Sequence, residues 1–498
     1  MELKERIAQL NLLQKKIAAY NHAVSLISYD GQTIAPRGTG EHRAESLGVL
    51  TEELYRLNTG AETRELLDDL YAHNEELDPK TKRIVEVMRH DIEEMRKIPQ
   101  DEYIEMTKLF SVSQDVWHEA KEKSDFPMFE PYLTRVVETM KKVAGYVAPE
   151  KKAYDYWLDN FERGLNCEKC DAFFNVLKEK LVPLIQKVKA AKQPDVSFLN
   201  GHFPIDKQRI LSDKVMEIMG IDRDHCCIGE TEHPFTDAFT KYDVRITTNY
   251  KENDFSDSLY SVIHEGGHAL YELHIADDLA YTVIGSGVSM GIHESQSRFY
   301  ENILGRSEGF IKNLTPILRD LFPQLAEITD DQFYHALNKA TPSLIRTMAD
   351  ELTYCLHIMV RYELEKRLFD GSLSVHELPQ AWNQLYKEIL GLDVPSDREG
   401  VLQDSHWSFG AIGYFPSYAL GSAYGAQMLR KMRETVDVDG CLNAGNLKPI
   451  NDWLEAKIWQ FGGLYPPEEL LEKALGEKFD PNCYVEYLTE KYTKLYNL

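Results

Sequence analysis

Hydrophobic positions recur at helical spacing along most of the chain. Leu3, Ile7, Leu10, Leu13, Ile17 and Tyr20 form an apolar stripe among Lys, Glu and Gln, which predicts an amphipathic helix from the start. The same spacing returns over 40–59, 62–77, 79–97, 100–122, 128–144, 148–162 and 167–190. Breaks fall at 36–40, Asp78-Pro79, Pro99, Phe126-Pro127 and Gly164. Between about 195 and 252 the texture changes. A short helix is predicted near 206–219, and Tyr242 to Tyr250 then alternates with period two. As a strand, it turns Asp243, Arg245 and Thr247 to one face and Val244, Ile246 and Thr248 to the other.

From 255 the helical spacing resumes, over 292–305, 308–322, 331–339, 343–370, 374–392, 417–436, 449–461 and 466–475. Gly400 to Tyr418 has no such stripe. It gathers glycines, aromatics, Gln403, Asp404 and His406, and reads as a loop walling a site. No repeat or low-complexity linker divides the chain. The expectation is one mainly α-helical domain with a long groove and a small β-sheet beside it. Residues 1–194 supply one wall of helices, 195–252 the small sheet, and 253–498 the catalytic helices. The sheet edge can pair with an extended peptide.

Composition narrows the function. With 56 Lys and Arg against 81 Asp and Glu, the net charge is −25, spread along the chain. That excludes attraction to a nucleic-acid backbone or an anionic membrane. The N-terminus is charged from its second residue, which argues against a signal peptide. No apolar run reaches the roughly 18 residues a membrane span needs. Seven sparse cysteines, with Cys167-x-x-Cys170 lacking a second pair, read as structural thiols in a reduced, cytoplasmic setting.

The chemistry concentrates in His264-Glu265-Gly266-Gly267-His268. On a helix His264 and His268 lie about 40° apart on one face and can grip one divalent cation. Glu265 is placed to take a proton from water activated by that metal. Ser256 or Asp257 is expected to cap this helix, and the paired glycines predict a close approach to its backbone, such as by a substrate. Two candidates exist for a third ligand. His274 follows His264 at the spacing of an extended zincin signature, but Tyr271 stands where that signature needs glycine. Glu294, in the first turn of the next predicted helix, gives the two-His, one-carboxylate layout of a catalytic site and is preferred. Further on, Arg346 and Asp350 stand at i, i+4 on one helical face, either as a modest surface ion pair or with Asp350 orienting Arg346 toward a carboxylate. His406 with Tyr414 or Tyr418 can donate hydrogen bonds to an oxyanion.

Together these segments resemble the carboxypeptidase Taq family of metallocarboxypeptidases. The likeness rests on His233-Pro-Phe235, Asp243-x-Arg245-x-Thr247, His264-Glu265-x-x-His268, His293-Glu294-Ser295-Gln296, Ile345-Arg346-x-x-Ala349-Asp350 and Gly400-x-x-Gln403-Asp404-x-His406-Trp407, in that order. Tyr29 stands where the family more often has tryptophan. The resemblance implies a helical fold similar to neurolysin-type oligopeptidases and angiotensin-converting enzyme, usually as a homodimer. It implies His264, His268 and Glu294 as ligands of one zinc, with cobalt as a substitute, and Glu265 as general base. It implies Arg346 as the anchor of a substrate's C-terminal carboxylate, with His406 and Tyr414 steadying the tetrahedral intermediate. His233, Asp243 and Arg245 are further candidate substrate contacts. The implied activity is release of single C-terminal residues from peptides with a free C-terminus, broad in specificity and poor next to proline. Its rivals are an oligoendopeptidase of similar fold and a non-catalytic peptide-binding scaffold.

Overall fold

A computed structural model describes residues 2–498. The protein is mainly helical, with one small three-stranded sheet. Most predicted helices appear close to their expected bounds, among them Leu3–Thr33, Gly40–Thr59, Pro79–Lys97 and Cys167–Ala190. The main hydrophobic core runs from Leu109 to Leu495. A second, smaller core joins Leu10, Leu66, Leu70 and Val85 of the N-terminal helices to Ile275, Leu279 and Ile284. Among the described residues, no helix is long and apolar enough to cross a membrane, and all seven cysteines are free thiols.

The sheet holds the strand predicted from alternation. Strand β1 (Cys226–Glu230) pairs in parallel with β3 (Asp243–Thr248), and β2 (Thr236–Thr240) pairs with β3 on the other side, antiparallel. Val244 and Ile246 are fully buried, while Asp243 and Arg245 stay half-exposed on the opposite face. The two motifs around this sheet lock together. Phe235 N–H donates to the Thr247 hydroxyl at 2.9 Å, and the Thr247 and Thr231 hydroxyls pair at 2.8 Å.

The helix Phe255–Leu273 carries His264, Glu265 and His268. Its cap is Asp254, two and three residues upstream of the expected Ser256 and Asp257, with Oδ1 accepting Ser256 N–H at 2.8 Å. Gly267 answers the question raised by the paired glycines. A Cβ there would sit 2.7 Å from the Gln296 carbonyl oxygen and 2.8 Å from Ser297 Cα. What approaches is the backbone of the next helix, Met290–Arg298, rather than a substrate. That helix is squeezed from its other side as well: a Cβ at Gly421, on the helix Phe415–Met432, would lie 2.7 Å from Glu294 Cβ and Cγ. Glycines on two flanking helices thus bring the carboxylate-bearing helix up to the histidines.

Beyond Arg298 the helix widens into a π turn, Phe299–Leu304, a form that often marks functional sites. The helix expected over 343–370 begins later, at Glu351. Asp350 is its N-cap: Oδ1 accepts Thr353 N–H at 3.0 Å, and Oδ2 accepts Thr341 N–H at 3.0 Å. Arg346 lies before it in a single 3-10 turn, Arg346–Met348. The expected Arg346–Asp350 pair on one helical face therefore does not form, because a capping carboxylate is consumed by backbone N–H groups.

Candidate metal centre and charged anchor

His264, His268 and Glu294 converge, each offering one ligand atom within 4.8 Å of the others. Glu294 Oε2 lies 3.7 Å from His264 Nε2 and 3.6 Å from His268 Nε2. Both imidazoles are fixed from behind. His264 Nδ1 meets Glu301 Oε2 at 2.8 Å, and His268 Nδ1 meets His293 Nδ1 at 2.6 Å. With each Nδ1 engaged, the Nε2 atoms are the ones turned toward Glu294. Two imidazoles and one carboxylate are the donor set of a catalytic divalent cation site.

The electrostatics also fit a cation. Burial works against charging His264, but Glu294 and Glu301 outweigh it and raise its pKa to about 9. His268 is driven well below the usual range by burial and by the neighbouring His293 and His264, so it stays neutral. Burial pushes the Glu265 carboxyl up, against the pull of His264 and the Thr236 hydroxyl. Thr236, the first residue of β2, holds Glu265 Oε2 at 2.6 Å. His274 lies apart from the centre, as expected: its Nδ1 bonds the Leu270 carbonyl at 2.7 Å and its ring packs on Trp459.

Arg346 belongs to a second charged cluster. Its Nε and Nη2 donate to Asp404 Oδ1 at 3.0 and 2.9 Å, and its Nη1 donates to the Tyr354 hydroxyl at 3.1 Å. Arg361, fully buried, donates from Nε to Asp404 Oδ2 at 2.7 Å. Burial opposes the charge on Asp404, yet the two guanidiniums hold its carboxyl far below the usual range. Gln403 braces the same group, its Oε1 accepting both the Arg346 backbone N–H and Arg361 Nη2.

The two clusters are continuous. Glu294 Oε1 accepts Arg298 Nε at 2.8 Å, the Arg298 guanidinium stacks 3.9 Å over the Tyr354 ring, and the Tyr354 hydroxyl reaches Arg346. One arginine and one tyrosine separate the candidate ligand carboxylate from the candidate anchor.

His406 Nε2 lies 3.2 Å from the Tyr418 hydroxyl, and the Tyr414 ring stacks on its imidazole. Burial, opposed by Asp404 and reinforced by the two arginines, lowers the His406 pKa to about 4, so the ring is neutral near pH 7. His406 Nδ1 has no hydrogen-bond partner among the described residues. Burial lifts Tyr414 to about 12, leaving it a protonated donor.

The remaining sequence candidates stand elsewhere. Asp243 and Arg245 close on each other, at 2.9 and 3.0 Å, and the Arg245 guanidinium covers Phe239 and Tyr29. His233 is exposed in the β1–β2 turn, where its carbonyl accepts the Thr231 hydroxyl. Glu301, Arg361, Tyr354 and Thr236 were not anticipated. Glu301 had a signal, since it stands two helical turns beyond Glu294.

Comparisons with known proteins place the whole chain in one family. The family model for carboxypeptidase Taq (M32) metallopeptidases matches residues 9–492. The chain is 42% identical to carboxypeptidase 1 of Bacillus subtilis, over 98% of each protein. It is 36% identical to thermostable carboxypeptidase 1 of Thermus thermophilus, over 98% of this chain and 99% of that one. The crystal structure of an M32 carboxypeptidase from Deinococcus radiodurans superposes with a TM-score of 0.96 at 35% identity, covering 99% and 100% of the two chains. With its HExxH helix, its following glutamate and its fold all in place, the chain belongs to the carboxypeptidase Taq (M32) family of metallocarboxypeptidases.

Proposed function

We propose that the protein removes single residues from the free C-terminus of peptides, with His264, His268 and Glu294 holding one zinc ion and cobalt able to replace it. A cation bound there supplies Lewis acidity to the scissile carbonyl and the attacking water. Glu265 takes the proton from that water and returns it to the leaving amine. Thr236 fixes the carboxylate for this transfer. His406 and Tyr414, both uncharged, offer hydrogen bonds to the tetrahedral intermediate.

The observation that carries the reading is the unbalanced charge around Arg346. One carboxylate, Asp404, faces two buried guanidiniums, while His406 and His357 are held neutral. Of the five N–H groups on Arg346, Asp404 takes two and Tyr354 one, leaving one on each Nη for an incoming carboxylate. A substrate's terminal carboxylate would complete the charge balance one tyrosine away from the metal centre. His233, exposed near the sheet, is a contact for the rest of the peptide, while Asp243 and Arg245 act by shaping the wall around Tyr29 and Phe239. Broad specificity with poor cleavage beside proline, a homodimer and a reducing, cytoplasmic setting complete this reading.

The test is digestion of one peptide as its free acid and as its C-terminal amide, with zinc or cobalt, read by mass spectrometry. Stepwise loss of single residues from the acid alone, abolished by Glu265→Gln, is the expected outcome. Internal cleavage of both forms would instead identify an endopeptidase and leave Arg346 without its role.

A further inference from the structure

His293 lies outside the ligand set yet fixes one of its members. Its Nδ1 stands 2.6 Å from His268 Nδ1, and its Nε2 stands 2.8 Å from Glu272 Oε1. Two imidazole nitrogens at that distance need one proton between them. An ionised Glu272 can only accept, so the proton of a neutral His293 resides on Nε2. His293 Nδ1 is then an acceptor, and the shared proton belongs to His268 Nδ1. His268 is left with its lone pair on Nε2, the nitrogen aimed at Glu294. The carboxylate thus dictates the tautomer that a ligand histidine requires.

Glu272 is itself positioned by a loop. Its Oε1 also accepts the Ser286 hydroxyl at 2.9 Å and the Gly287 N–H at 2.8 Å. Gly287 lies flat on the relay, since a Cβ there would come within 2.5 Å of His293 Cδ2. The same loop carries Ile275, Leu279 and Ile284 into the core of the N-terminal helices, and Val283 N–H donates to Gln14 at 2.6 Å. The other ligand histidine differs, because Glu301 contacts His264 directly.

We propose that Glu272 and His293 are positioning residues that hold His268 in its metal-binding tautomer, anchored by the loop that joins the metal centre to the N-terminal helices. This rests on the metal-site reading above. Neither residue touches substrate in this account. Their removal is expected to weaken the hold on the cation and leave substrate binding unchanged once the site is saturated.

The experiment measures zinc affinity of the full-length protein by competition with a chromophoric chelator, alongside KM at saturating zinc. His293→Phe breaks both hydrogen bonds and is expected to weaken zinc binding roughly 10–100-fold. His293→Gln can accept from His268 and donate to Glu272, and is expected to recover most of that loss. In the double variant with Glu272→Gln, the losses are expected to be less than additive, because the two residues act as one unit. KM at saturating zinc stays at the parent value in each case. Should His293→Phe fail to fold, Glu272→Gln carries the test, with an expected loss of about tenfold. Parent-like zinc affinity in His293→Phe or Glu272→Gln, fully additive losses, or no recovery with Gln would each overturn the relay. A parent protein whose zinc binding survives His264→Ala with His268→Ala would instead overturn the metal-site reading, and the relay with it.

Discussion

The metal centre and the Arg346 cluster sit side by side but are built by different means. At the candidate metal centre the proposed ligands ride on regular helices, and close contact between those helices sets their spacing: Gly267 and Gly421 admit the helix of Glu294 from both sides. The anchor is assembled from a 3-10 turn, an irregular loop and the interior of a helix, held together by side-chain ion pairs and by hydrogen bonds from Gln403 and Tyr354. The first region is rich in carboxylates and suits a cation. The second has an excess of guanidinium and suits an anion. Arg298 and Tyr354 stand between them and keep the opposing charges from collapsing onto each other. The helical region can be altered by volume, and the ionic one by charge.

The largest expected effect breaks the ionic region. Asp404→Asn leaves two buried guanidiniums facing no counter-charge, which costs about 3–5 kcal/mol by the usual penalty for half of a buried ion pair. A thermal or denaturant melt should show it, and kcat/KM on free-acid peptides should fall as Arg346 loses its bearing. Zinc content should be unchanged. If zinc is lost too, the two regions are a single unit and the comparison fails.

A smaller effect comes from Glu365, which braces the loop between the regions. Tyr154 Oη and Trp407 Nε1 each donate to it at 2.7 Å, and Gly413 N–H at 2.9 Å. It is fully buried, and burial pushes its carboxyl up to about 7. A raised folded pKa means stability that is present below the unfolded value near 4.5 and is lost as pH rises through about 7. Glu365→Gln removes this titration. Between pH 5 and pH 8 the variant should gain on the parent by roughly 2.5 kcal/mol, read from paired denaturant melts. A difference that does not vary with pH would show that Glu365 ionises at its ordinary value.

The contrast also explains what could be read from the chain. Helical period writes a face directly into residue spacing, so His264, His268 and Glu294 stand out, and Glu272 follows His268 by one further turn. Family motifs then point to Arg346, Gln403 and Asp404 without saying what pairs with what. Asp350 illustrates the failure: at i, i+4 from Arg346 it looks like a partner, yet it caps a helix that begins one residue later. The true partner, Asp404, is 58 residues away, and Arg361 carries no local signal at all. Strand β1, Cys-Cys-Ile-Gly-Glu, was missed because its residues do not alternate and its pairing is to a strand further along the chain. Local periodicity encodes faces; pairing across distant segments is fixed only by the completed fold.

The smallest and most selective test uses two adjacent glycines. At Gly266 an added Cβ would meet the end of the Met219 side chain and Ile221 Cδ1, at 2.7 to 3.0 Å. Those atoms can swing aside, and alanine favours the helix by about 1 kcal/mol, so Gly266→Ala should change stability little. At Gly267 the obstacle is the backbone at Gln296 and Ser297, which can yield only if the whole helix moves. Gly267→Ala should therefore cost about 1–3 kcal/mol, the range for an overpacked site. Its sharper consequence is geometric. Displacing that helix draws Glu294 away from both histidines, so zinc affinity should fall by roughly tenfold or more, the scale of disturbed ligand orientation. The preference for free-acid over amidated peptide should survive in whatever activity remains, because the ion pairs of Arg346 and Arg361 with Asp404 involve no residue of that helix. Equal zinc affinities for the two alanine variants would show that contact between the helices does not set the ligand spacing.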